Sequence, residues 1–281
     1  MKKIETLRQL QLVSIYIYKD LLKACEDNGI KLYLLGGTLI GAVRHGGYIP
    51  WDDDIDVCLS RPDFEKLMKA TGGRISEKCR IIDPATDKDY KGVVPVAIYE
   101  NSAVISKQFK EDENLKIAVS IFIYDGAPKS RIGRLLYYTK LYILRAEHAC
   151  CRADFNNVNT SIARLVGPFL APFFKAENVY KYKNRILKHQ KKYPYETSEF
   201  VSTNTDSLSH KEVFPKYTFE DSTELMFEGI KSYAFSNYHE QLTTYYGDYM
   251  QLPPEEAQAP KHSFDAEIED DFVFEETVAY E

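Results

Sequence analysis

The sequence is poor in the features that mark secreted and cysteine-bound metal proteins. It has only five cysteines among 281 residues, an odd number, and no two of them have the C-x-x-C spacing. A disulfide framework and a cysteine-based zinc site are therefore not expected, and a reducing cytosol is the simpler environment for the chain.

Long apolar runs are also missing. Glu5 and Arg8 interrupt the apolar residues near the N-terminus, which argues against a signal peptide. The most apolar stretch elsewhere, residues 165–174, is too short to span a bilayer and contains Pro168 and Pro172. We therefore expect a cytoplasmic protein.

The excess of positive charge that a dedicated nucleic-acid-binding protein needs is absent as well. The formal net charge is −6, so no nucleic-acid partner is expected. A small anionic substrate remains open, because a bound cation can invert the local field. Hydrophobic residues make up 44% of the chain, which suits one large folded domain or two modest ones.

The pattern of apolar residues and glycine or proline breaks predicts an α+β protein. Residues 1–127 mix helices with strands, residues 128–263 look largely helical, and the acidic residues 264–281 are expected to form a mobile or loosely packed tail. Strands are predicted at 31–35, 54–59, 80–82, 93–99 and 116–124, and helices at 5–28, 39–43, 61–70, 131–151 and 161–191.

Three small residues lie between a predicted strand and a predicted short helix. Gly36 and Gly37 would let backbone N–H groups approach a phosphate closely, and Thr38 could donate its hydroxyl or cap the helix. Alone this is a weak signal, because Gly-Gly at such a place is more often only a turn.

Two aspartates follow at strand spacing. Asp54 and Asp56 are two residues apart, so their side chains point to the same face while Ile55 and Val57 face the core. Like charges repel at this distance, and a cation between them removes the cost; Mg²⁺ is the natural one. The competing interpretation is a solvated acidic turn, which is the usual state of an isolated charge run.

The order of these features along the chain is more specific than either of them alone. It resembles the nucleotidyltransferase fold of the DNA polymerase β superfamily, in which a strand, Gly-Gly-Thr, a short helix, a loop and a strand with Asp-x-Asp follow one another. The string GGTLIGAVRHGGYIPWDDDIDV at 36–57 resembles the signature of LicD-family phosphocholine transferases, to which fukutin and fukutin-related protein are related. A weaker similarity runs from Tyr246 through Pro253-Pro254 to His262.

This resemblance implies a mixed sheet flanked by helices in a catalytic core at 1–127, completed by the helical extension at 128–263. It also implies Mg²⁺-dependent transfer of phosphocholine from CDP-choline, or a related CDP-alcohol, to a sugar hydroxyl of a cell-surface glycan such as teichoic acid or lipopolysaccharide, or of its lipid-linked precursor. Gly36, Gly37 and Thr38 would touch the nucleotide phosphates and Asp54 and Asp56 would hold the metal. Arg44 and His45 would lie near the phosphates or the leaving group.

One position departs from the family pattern. Family members carry an Asp where this chain has Ser120, and strand alternation places Asp125 on the opposite face. Several explanations remain open. A nearby acid such as Glu100 could compensate, the enzyme could be slow or use a different acceptor, or the serine could be an introduced substitution. The protein could also bind its ligand without catalysis. A nucleotidyltransferase that acts on a metabolite or a protein is the other alternative.

Aromatic and basic residues add weaker hypotheses. Trp51 could stack on a base or a choline group or could only anchor its loop, and Tyr48 and Tyr99 could join an aromatic cage. His262 has a plausible site role and an equally plausible surface role. The basic helices after residue 128 could rest on anionic lipid, as a lipid-linked acceptor at the inner face of the membrane would require. A helical subdomain with a solvated face is the simpler interpretation.

Overall fold

A computed structural model of the chain describes residues 1–106, 109, 115–155, 167–169, 171–205, 213–259 and 265–276. Its longer helices are α1 (Leu7–Asp27), α2 (Gly36–His45), α3 (Arg61–Thr71), α4 (Arg131–Arg152), α5 (Val179–Gln190) and α6 (Tyr238–Tyr246). Its strands are β1 (Lys2–Lys3), β2 (Tyr33–Leu34), β3 (Asp56–Ser60), β4 (Cys79–Ile82), β5 (Val96–Tyr99), β6 (Ser102–Ile105), β7 (Ala118–Ala127), β8 (Phe200–Ser202), β9 (Phe214–Pro215), β10 (Ser222–Phe227), β11 (Ile230–Phe235) and β12 (Asp265–Ile268).

The central sheet is mixed. Within the described ranges its strands lie in the order β10, β11, β2, β3, β7, β5 and β4, with β8 paired to the end of β7 and β9 beside β8. Strands β3 and β7 are parallel neighbours in the middle, and β2 and β5 run antiparallel to them on either side. The predicted α+β class, a mixed sheet flanked by helices, is confirmed.

Helix α1 covers one face of this sheet. Thr6 caps its N-terminus and forms a capping box with Gln9. The buried stripe of the helix, which includes Val13 and Leu21, packs in one hydrophobic cluster with Val57 of β3 and Ile121 of β7. Each such fully buried aliphatic side chain stabilises the fold by about 2 kcal/mol, so this cluster fixes the strands that carry the acidic residues.

Residues after 128 contribute strands as well as helices. Strand β11 pairs with β2 and strand β8 pairs with β7, so the C-terminal half completes the same sheet. The sequence analysis missed these strands because they are short and pair with partners far away in the chain. The predicted helix at 161–191 lies partly outside the described residues, and its described portion becomes helix α5 only at Val179. In the described parts of the chain, every helix is too short or too polar to cross a membrane.

The expectation of a loosely packed acidic tail is wrong for residues 265–272. Strand β12 lies between β1 and β6 in a second, three-stranded sheet. Ala266 and Ile268 are fully buried, and Phe272 is nearly so. Asp265 and Glu267 alternate with them and are exposed, and Asp265 forms an ion pair with Lys3. The acidic composition of this segment therefore concealed the alternation of buried and exposed residues that is typical of a strand.

Candidate active site

A cleft of about 650 Å³ opens beside the start of helix α2. One wall comes from α2 and the acidic loop before β3, and the other comes from the end of α6 and the loop that follows it. The side chains and backbone that line it belong to Gly37, Ile40, Arg44, Ile49, Trp51, Asp52, Asp54, Asp56, Tyr246, Asp248, Tyr249, Gln251, Leu252, Pro253, Pro254 and Ala257.

The two glycines stand where helix α2 begins. Gly36 has φ +55°, which favours glycine, and an added Cβ on Gly37 would lie 2.7 Å from an oxygen of Asp52. Leu35 occupies the N-cap without a side-chain hydrogen bond. The backbone at the helix start therefore comes close to the cleft, as a phosphate-binding terminus requires.

The capping role predicted for Thr38 is wrong. The helix starts at Gly36 and not at residue 39, so Thr38 does not cap it. Its hydroxyl is buried and accepts a hydrogen bond of 2.8 Å from the backbone N–H of Asp56. Thr38 thus ties α2 to the first residue of β3 and positions Asp56 from behind the cleft.

Asp54 and Asp56 both line the cleft. The strand begins two residues later than predicted, at Asp56, but the alternation holds: Ile55 and Val57 are fully buried and the two aspartates are half-buried. Carboxylate oxygens of Asp52, Asp53 and Asp54 also lie within 4.8 Å of one another. This donor set suits a hard divalent cation such as Mg²⁺, which binds carboxylate oxygens.

Ser120 lies beside Asp56. The two residues are in register on the parallel strands β7 and β3, so their side chains share one face. Asp125 points to the other face, where Arg61 donates two hydrogen bonds of 2.9 and 2.6 Å to its carboxylate. Burial raises the pKa of Asp125 above its usual value despite this arginine.

Glu100 does not compensate for Ser120. Val96 of β5 pairs with Ser120, and Glu100 lies four residues further along that chain segment, about 13 Å away at the rise of a strand. Its carboxylate forms ion pairs of 3.1 Å with Arg74 and 3.0 Å with Arg80. The structure therefore argues against Glu100 as the compensating acid.

Arg44 joins the two walls of the cleft. Its Nη1 donates a hydrogen bond of 2.8 Å to the carbonyl of Tyr249, and its Nε donates one of 2.9 Å to Nε2 of His45. Burial, together with the charge of Arg44, lowers the pKa of His45, so the imidazole is neutral at pH 7 and accepts this bond. His45 itself is exposed and stands behind Arg44, not among the residues that line the cleft.

The aromatic residues of the cleft are only partly the predicted ones. Trp51 is half-buried and lines it. Tyr48 and Tyr99 do not, because Tyr48 is buried against Phe227 and Tyr99 donates its hydroxyl proton to Glu269. The aromatic cage proposed from these two residues is therefore wrong. His262 lies outside the described residues.

Several cleft residues escaped the sequence analysis. Asp52 belongs to the same acidic run as Asp54, and its buried position beside Gly37 was not deduced. Tyr246, Asp248 and Tyr249 fall in the weaker of the two similar segments, where only the segment and no individual residue was singled out. Distance along the chain, about 190 residues, concealed that they face Asp54 and Asp56.

A mixed sheet with a glycine-started helix and aspartates at the adjoining cleft has the arrangement of a nucleotidyltransferase-type domain. The family model described as LicD/FKTN/FKRP, nucleotidyltransferase domain, matches residues 29–130, which supply one wall of the cleft.

Whole-chain similarity defines the family more closely. The lipopolysaccharide cholinephosphotransferase LicD of Haemophilus influenzae is 33% identical over 279 residues, covering 95% of this chain and 100% of that protein. The human ribitol 5-phosphate transferase FKRP is 36% identical over 69 residues, covering 23% of this chain and 14% of that protein. The chain belongs to the LicD family.

Proposed function

We propose that the protein transfers phosphocholine, or a related phospho-alcohol, from a CDP-alcohol to a sugar hydroxyl of a cell-surface glycan or its lipid-linked precursor. The observation that carries this proposal is the match to a cholinephosphotransferase over that protein's whole length. The cleft supports it, because the start of a helix, carboxylates and an aromatic ring meet there. The location that suits this reaction is the cytoplasm, at the inner face of the membrane.

Mg²⁺ is the cofactor that the donor set fits. Asp54 and Asp56 would hold it, with Asp52 close enough to Asp54 to take part. When bound, the ion neutralises the charge of the phosphates and so favours attack by the acceptor oxygen.

The residues of this chain would bind and orient the donor. The first N–H groups of α2, at Gly36 and Gly37, would bind a donor phosphate through the helix terminus. Arg44 supplies positive charge at the cleft and holds the opposite wall in place. Trp51 offers a face on which a nucleobase or a quaternary ammonium group can stack.

A second candidate, a homologue that binds the donor but transfers slowly or not at all, is favoured by Ser120. This residue stands in register with Asp56 where family members place a carboxylate. Without that group, acceptor deprotonation would have to come from another acid of the cleft, and Asp248 on the facing wall is available for this.

Binding and transfer can be measured separately. CDP-choline, CDP-ethanolamine, CDP-glycerol and CDP-ribitol are added to the full chain with Mg²⁺ or with EDTA, and the thermal unfolding midpoint is recorded. At least one CDP-alcohol should raise it only when Mg²⁺ is present, because ligand binding stabilises the folded state by mass action. CMP release with a choline-free lipopolysaccharide acceptor then reports transfer.

The outcomes separate the candidates. Binding with CMP release supports the transferase, and binding without CMP release supports the impaired homologue. Stabilisation by a nucleoside triphosphate with pyrophosphate release, and no response to any CDP-alcohol, would replace both with a nucleotidyltransferase. A variant with Asp54→Asn serves as the control, since it should lose the Mg²⁺-dependent stabilisation while remaining folded.

A further inference from the structure

Helix α4 presents an apolar face to solvent. Its inner face buries Tyr137, Leu141 and Leu144 in a cluster that includes Ile186 of α5. Its outer face carries five large apolar side chains, each between 52% and 73% exposed: Ile132, Leu135, Leu136, Tyr142 and Ile143. This face is exposed to solvent, as the expectation of a solvated face has it, but its large side chains are apolar.

The five side chains share one side of α4. They recur at spacings of three, four, six and seven, which places them on one side of a helix of 22 residues. Exposed apolar residues scattered singly need no explanation, but a contiguous group of this size marks an interaction surface. We call these five residues the outer face of α4.

The segment of the chain that contains α4 is strongly basic. Residues 128–192 contain fourteen lysines and arginines and three acidic residues, although the whole chain has a net charge of −6. Arg131 and Lys140 are exposed and lie at the two edges of the outer face. The only acidic residue of the helix, Glu147, is half-buried and bonded to Arg185 at 2.7 Å.

We propose that the outer face of α4 binds an anionic lipid bilayer. Apolar side chains would enter the boundary between headgroups and acyl chains, while Arg131 and Lys140 would contact lipid phosphates. A second copy of the chain is a poorer occupant, because two such basic segments would repel each other. A nucleic acid is poorer too, because it offers nothing for five exposed apolar side chains. The inference does not depend on the proposed transfer reaction.

Vesicle flotation tests the proposal with the full-length protein and no donor or acceptor. The protein should float with phosphatidylcholine vesicles that contain phosphatidylglycerol, and much less with pure phosphatidylcholine. The double variant Leu135→Ser, Leu136→Ser should bind at least about tenfold more weakly, because it removes apolar insertion. Lys140→Gln should weaken binding about fivefold at low salt, because one cation near the lipid phosphates is lost.

A matched control removes two exposed apolar side chains elsewhere. Ile105→Ser with Met226→Ser alters residues that are 52% and 45% exposed on strands β6 and β10, and it should leave vesicle binding unchanged. Thermal unfolding checks that all variants fold. Any one of three results overturns the proposal. The first is no flotation of the wild type, and the second is equal flotation of the two double variants. The third is a wild-type dimer that Leu135→Ser, Leu136→Ser converts to a monomer, with no vesicle binding by the wild type or the variant.

Discussion

Strand β7 has a carboxylate near each of its two ends, and the surroundings of the two carboxylates differ. Near its start, Ser120 lies beside Asp56 at the edge of an open cleft. Near its end, the side chain of Asp125 is only 4% exposed and is enclosed by a bidentate bond from Arg61. Removing one partner of such a buried ion pair destabilises the fold because it leaves a buried charge uncompensated, whereas carboxylates gathered at a cleft are placed to meet a ligand.

The largest expected effect is at the cleft. Asp54→Asn should lower the rate of CMP release by about 10²–10³-fold, because it removes a carboxylate ligand of the Mg²⁺ whose positive charge would stabilise the developing transition state. Its free energy of unfolding without Mg²⁺ should stay equal or rise slightly, because repulsion among neighbouring carboxylates falls. Steady-state kinetics and urea unfolding measure the two quantities.

Asp53→Asn is the matched control for that substitution. Asp53 is buried in the same acidic run, but it does not line the cleft. If the metal is held by Asp54 and Asp56, the control should retain most of the activity. An equal loss in both variants would instead assign the metal to the group of Asp52, Asp53 and Asp54.

The opposite end of β7 should respond in stability and not in chemistry. Asp125→Ala should lower the free energy of unfolding by about 3 kcal/mol, because it leaves the guanidinium of Arg61 buried without its partner. The rate per folded molecule should change less than about twofold. Adding Arg61→Met should restore part of the stability. A fully stable Asp125→Ala protein with lost activity would contradict this division between the two ends.

A smaller change should come from making the start of β7 acidic. Ser120→Asp places a carboxylate in register with Asp56, about 4.8 Å away across the strand pair. We expect an apparent Mg²⁺ affinity about tenfold higher and a faster rate, since a further hard oxygen ligand joins the cleft. Ser120→Asn has nearly the same size without the charge and should show neither gain. An unchanged Mg²⁺ dependence in both would mean that the ion does not reach this face.

Local patterns were sufficient to predict one wall of the cleft. The Gly36-Gly37 break and the alternation around Asp56 are signals within a few residues of each other, and the structure places Gly37, Asp54 and Asp56 at the same cleft. The placement of Ser120 opposite Asp125 also followed from strand parity alone. Such features depend on backbone geometry that neighbouring residues determine.

Non-local packing was not predictable in the same way. The second wall, around Tyr246 and Asp248, meets the first only because α6 returns to the start of α2. Strand β12 was hidden by its acidic residues, and the apolar character of the outer face of α4 was not deduced, because composition does not show which side of a helix is covered. These features depend on which distant segments pack together, and residue patterns within one segment do not contain that information.

The smallest expected effect is at Glu269, which, like Asp125, is an acid with fixed hydrogen-bond donors. Lys78 and Tyr99 donate hydrogen bonds to it, and these bonds lower its pKa from 4.5 to about 2. A depressed folded-state pKa contributes stability above the unfolded value and loses it as pH falls, here between pH 4.5 and 2. Glu269→Gln should therefore cost about 1 kcal/mol at pH 7, allowing for solvent screening, and progressively less below pH 4.5. Urea unfolding of both proteins from pH 7 downward measures the difference. A gap that stays constant with pH would show that the charge of Glu269 contributes nothing and that its strand is held by backbone pairing and by the burial of Ala266 and Ile268.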